Sequence, residues 1–164
     1  MGQPALTAEE TIAWAERTSE GWRSLLTAHP EALRVPCDVM GVSNVGELLQ
    51  HIVAVELRYA QQLAGLPPAD YASIAFDSAE AIYATHQRAI ALLKEQLASG
   101  VDWDEKIEYV TRSMGPARSS RKSILFHALL HSVRHYAQLA TLIRRHGIQP
   151  GWPMDYIFMD MERV

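Results

Sequence analysis

The chain has 164 residues, 48% of them apolar and 21% charged, with a formal charge of −4. That length and balance suit one globular domain with a sizeable core, and the mild negative charge leaves no electrostatic footprint for nucleic acid. No run approaches the roughly 20 apolar residues of a membrane span, and the N-terminal MGQPALTAEE has neither the basic nor the apolar region of a signal peptide. The single cysteine, Cys37, has no internal partner for a disulfide. These features together suggest a cytoplasmic protein.

Four long segments carry helical periodicity. The first runs from about Thr7 to Ala28, with Ile12, Ala15, Trp22, Leu25 and Leu26 on one stripe and Pro30 barring continuation. A turn-rich segment, VPCDVMGVS, follows. The second helix begins near Ser43, where Asn44 and Glu47 resemble a capping box, and ends about Ala64 before Gly65 and Pro67-Pro68. After the longer loop LPPADYASIAFD, the third covers about Ser78 to Ala98, with Gly100 as its stop. Alternation over Lys106 to Val110, followed by Gly115-Pro116, gives a weak hairpin signal. The fourth helix starts near Ser119 or Ser120 and ends at Gly147, with Arg144, Arg145 and His146 placed well for its dipole. In the C-terminal segment, Trp152, Tyr156, Ile157 and Phe158 are expected to pack back on the helices. No repeat or linker divides the chain, so residues 1–164 read as a single domain. The class is all-α: a four-helix bundle with a crossover connection and a short C-terminal extension.

Three histidines carry the chemistry. His131 and His135 are four residues apart on the fourth helix, on one face and about 6 Å apart along the axis. His51 lies on the second helix. An i,i+4 pair plus one imidazole from a neighbouring helix makes a three-nitrogen cap with positions left open, as in catalytic rather than structural zinc sites. Such a pair alone is more often two ordinary helix residues, and no H-E-x-x-H motif supplies a base.

The segment HALLHSVRHYAQL, together with LLQHIVAVELRYAQQLAG and the stretch from Gly115 to His127, resembles the DinB/YfiT-like family of four-helix-bundle proteins. The resemblance covers nearly the whole chain. It implies a divalent metal on His51, His131 and His135, often in a homodimer, and for some members a transferase or isomerase activity that uses a low-molecular-weight thiol. Imidazole ligands suit zinc or nickel, with iron and copper also open.

Gln138, three residues beyond His135, is placed to bond a ligand, a metal-bound water or the substrate, or else reads as a polar residue at an interface. His127 extends the histidine row by one turn and reads as structural, because a row of three drifts around the helix. His29, His86 and His146 show no ligand-like partner, and Glu56, five residues after His51, is not assigned as a base. Arg112, Arg118, Arg121 and Lys122 precede the last helix. They read first as a solvated face, but cations there oppose the helix dipole. Arg118 and Arg121 are therefore candidates for binding the carboxylates of a thiol or an anionic substrate. The tryptophans and tyrosines read as core, and Cys37 lacks a base that would make it a nucleophile.

The leading expectation is a metal-dependent thiol transferase acting on a small electrophile. The alternatives are a non-catalytic metal-binding, stress-associated protein and a metal-dependent hydrolase. Expected partners are a small-molecule substrate and a second copy of the chain, with no nucleic acid and no membrane.

Overall fold

The computed structural model describes residues 4–163. Four helices form the body: α1 (Ala8–Ala28), α2 (Val45–Leu63), α3 (Ala79–Ala98) and α4 (Arg121–Arg145). Their ends are set by local chemistry. Thr7 Oγ1 accepts from the Glu10 amide while Glu10 returns a bond from the Thr7 amide, a complete capping box. At α2, Asn44 accepts from the Glu47 amide, but the Glu47 carboxylate reaches back to the amide of Ser43 rather than Asn44. Helices α2 and α4 both end in a Schellman arrangement, with Gly65 and Gly147 at positive φ and the next residue, Leu66 or Ile148, bonding back to Gln61 or Ile143.

Helix α2 packs against α3 and α4, and α1 packs against the same two. Helices α1 and α2 therefore stand across the bundle from each other, and so do α3 and α4. The α1–α2 connection crosses that diagonal through short 3-10 turns at Pro30–Arg34 and Val39–Gly41. The α3–α4 connection crosses through an antiparallel hairpin of β1 (Lys106–Thr111) and β2 (Gly115–Ser120). The weak alternation there thus forms true strands. Strand β2 runs without a break into α4, and Gln62 of α2 accepts from the Val110 amide at 2.6 Å, pinning the hairpin over the bundle.

The C-terminal segment folds back on α1. Trp152 meets Trp22 edge to face, and Trp14 donates from Nε1 to the Met154 carbonyl at 2.8 Å. Gly21 makes this contact possible: a Cβ there would lie 2.2 Å from the Trp152 ring. Tyr156 packs on Trp14, but Ile157 remains 63% exposed, contrary to the expectation that it packs back. The 3-10 turn Tyr156–Met159 holds it outward while Tyr156 and Phe158 on either side are half-buried.

The core falls into two apolar blocks. One joins Trp22, Leu49, Ile52 and Val53 to Tyr136 and Leu139. The other joins Ile12, Leu57 and Leu63 to Leu93, Leu125 and Leu129. Between them α2 contributes Glu56, and α4 contributes His131, Ser132 and His135. A polar layer therefore crosses the middle of the bundle.

Candidate metal centre

Packing of α2 on α4 brings the three histidines together. His51 Nε2 lies 3.1 Å from His131 Nε2, and His135 Nε2 lies 3.2 Å from the same atom. The three ligand nitrogens lie within 4.8 Å of one another. His135 is buried, while His51 and His131 are half-buried and face a cleft of about 680 Å³.

The tautomers favour a cation. His135 Nδ1 donates to Gln138 Oε1 at 2.7 Å, which leaves Nε2 unprotonated; its lone pair accepts from Arg134 Nη2 at 3.0 Å, a contact that a bound cation would replace. Burial first, then the His135, Arg112 and Arg134 charges, pull His51 down to about 4. Burial and the neighbouring histidines, with Arg134, pull His131 down to about 3. His135 is lowered as well, chiefly by burial, with the Gln138 bond opposing. At neutral pH these are neutral imidazoles whose Nε2 atoms crowd one another, an arrangement that a shared cation would fit. The spacing fits one. Metal–nitrogen bonds of about 2.0–2.1 Å place cis or tetrahedral ligand nitrogens about 2.8–3.4 Å apart. The residues present therefore suit a divalent metal with open positions on the cleft side.

His127 lies one turn before His131 and lines the same cleft, its ring 5.2 Å from that of Tyr59. It is not in the converging group. Gln138 bonds the His135 ring and does not line the cleft. Arg118 and Arg121 lie elsewhere. Arg118 is exposed on β2, and Arg121 bonds Glu105 at 2.7 Å and the Leu63 carbonyl at 2.9 Å. Neither lines the cleft, whereas Arg58, Arg112 and Arg134 do.

A second buried cluster escaped the sequence reading. Glu56, fully buried, accepts from Ser132 Oγ at 2.5 Å and from His86 Nδ1 at 2.7 Å. Burial opposes the charge on His86, but the Glu56 carboxylate outweighs it and the imidazole is raised above its usual value. His86 thus has a partner after all. The signal was present: Glu56 falls on the buried stripe of α2, four residues after Ile52, and a carboxylate there requires a partner. His29 pairs with Glu31 and His146 bonds the Leu142 carbonyl, both at the surface.

The model of the DinB family matches residues 1–163. The chain belongs to the DinB family. Among curated proteins, none matches it. As a DinB protein it keeps the expected helical bundle and presents three histidines positioned to hold a metal ion. Among the described residues, no helix is long and apolar enough to cross a membrane.

Proposed function

We propose that this DinB protein is a metal-dependent transferase that joins a low-molecular-weight thiol to a small electrophile. The observation that carries the reading is the convergence of three neutral imidazole nitrogens at the wall of an open cleft. A site built for stability alone is usually closed by a fourth protein ligand. His51, His131 and His135 would hold zinc or nickel, with iron a further candidate. The bound cation would lower the pKa of a coordinated thiol and so supply a thiolate nucleophile.

The chain's own groups supply the remaining conditions. Gln138 fixes the His135 ring and its tautomer. Tyr59, Tyr71 and Phe76 line the cleft and offer apolar surface to the body of a substrate. The α2–α4 packing holds the ligand nitrogens in place before any substrate arrives. A homodimer is part of this reading, supported by family membership.

The test is turnover of a model electrophile with a low-molecular-weight thiol by metal-loaded protein and by His135→Ala. Loss of at least about a hundredfold is expected in the variant, as when a group that forms part of a catalytic unit is removed. Equal rates would reject the proposal. Strong thermal stabilisation by metal with no turnover of any electrophile would instead assign the metal a structural or sensing role.

A further inference from the structure

We infer that the cleft beside the three histidines takes an anionic organic molecule, its acid groups seated on Arg112 and Arg134 and its apolar part on Tyr59, Tyr71 and Phe76. The inference rests on reading this cleft as the substrate site. It names the class of molecule that the site selects.

The argument begins with charge. Three guanidiniums reach the cleft from three separate elements: Arg58 from α2, Arg112 from the hairpin turn and Arg134 from α4. Among the described residues none of them forms an ion pair with a carboxylate. The acid that lines the cleft, Glu47, is already committed, because its oxygens accept from the Ser43 amide and the Asn44 side chain at the start of α2. A bound divalent cation would add further positive charge to the same space. A cleft with this excess attracts anions and concentrates them.

Placement is the second part. Arg112 lies over the Tyr71 ring at 4.0 Å from its centroid, so a cation–π contact holds it at the cleft. Arg134 Nη2 lies 3.0 Å from His135 Nε2, the nitrogen that would ligate the metal, so a bound cation would displace this contact and leave the guanidinium beside it, available to an anion. Arg58 bonds the Ala69 carbonyl and shapes the wall. Planar guanidiniums held in this way match carboxylate or phosphate oxygens two at a time. Aromatic faces beside them would accept a flat or apolar body.

Isothermal titration of phthalate, phenyl phosphate and benzamidinium into metal-loaded and metal-free protein tests this. Both anions should bind and benzamidinium should not, and the tighter anion identifies the acid group as carboxylate or phosphate. Arg112→Gln/Arg134→Gln should weaken anion binding at least about tenfold, the loss expected for two charge-assisted hydrogen bonds. Both side chains are exposed, so the fold should survive, and an unchanged thermal melt checks this. Arg118→Gln, which lies off the cleft, should bind as wild type does. Unchanged affinity in the double variant, an equal loss in Arg118→Gln, or benzamidinium binding as tightly as the anions would each overturn the inference. Binding of the anions to protein that takes up no cation would sink the metal reading and leave this one standing. Uptake of metal without anion binding would do the reverse.

Discussion

Gln138 Oε1 sits 2.7 Å from His135 Nδ1, so the amide oxygen accepts a hydrogen bond from the ring and leaves the opposite nitrogen unprotonated and able to ligate. Partners of this kind typically contribute about 10- to 100-fold to metal affinity. Gln138→Leu should weaken zinc or nickel binding by that factor in a competition titration. The metal-free melting temperature should barely move, because Gln138 is exposed. Equal affinity in variant and wild type would show that the His135 ring is oriented by packing alone.

Acid should release the metal late. Three ordinary imidazoles, with pKa about 6.5, would each cost roughly tenfold in affinity at pH 5.5, about a thousandfold together. Here His51 is held at about 4 and His131 at about 3, so protons do not compete for their lone pairs at pH 5.5. Affinity should fall less than about tenfold between pH 7.5 and 5.5. For the metal-free protein the sign is fixed by the same depression. The unfolded chain takes up protons below about pH 6.5 while the folded site does not, so stability is full above that value and declines as pH falls towards the folded values. A thousandfold loss of affinity by pH 5.5 would contradict the geometry.

Removing one partner of the Glu56–His86 pair should be costly. Both side chains are almost wholly buried. Glu56→Gln should lose about 3–5 kcal/mol in urea denaturation, the usual penalty for leaving half of a buried pair. Glu56→Leu/His86→Leu should lose less, since it leaves neither charge behind. His86 is raised in the folded state, so its contribution is full below about pH 6.5 and is lost as pH rises through the raised value. The cost of Glu56→Gln should therefore be larger at pH 6 than at pH 9. A cost independent of pH would show that the pair is not ionic.

Gly21→Ala probes the C-terminal segment. The added methyl would meet the Trp152 ring at 2.2 Å, too close for either to stay in place. Overpacking of this kind costs about 1–3 kcal/mol. The tryptophan emission should shift and the segment after Gly147 should become sensitive to protease. Trp152→Ala in the Gly21→Ala background should cost little further stability. Wild-type protease resistance in Gly21→Ala would remove the contact from the account.

What was legible in the sequence was local or periodic. Thr7, Asn44, Ser78 and Ser120 cap helices through their own side chains, and each lies where a polar residue precedes an apolar stripe. His131 and His135 share a face because the helix itself places them there, and only the α2–α4 packing was needed to add His51. Contacts between distant elements were not legible. The partner of Glu56 is 30 residues away on α3, and nothing local to either residue names the other. The basic group before α4 was visible, but the strand alternation that turns Arg118 outward, and Glu105, which engages Arg121, depend on the hairpin. Arg112 reaches the cleft because the hairpin crosses the bundle and delivers its turn there.

The polar layer has a consequence for how the helices are locked together. Two apolar faces can slip past each other by one helical turn and find nearly equivalent packing. A slip of α4 along α2 would separate Ser132 from Glu56 and His131 from His51 in the same movement, leaving one oxygen of a buried carboxylate without its donor. The level of the bundle that gathers the imidazoles is thus also the level that sets the helices' alignment. A substitution that loosens one should be felt by the other.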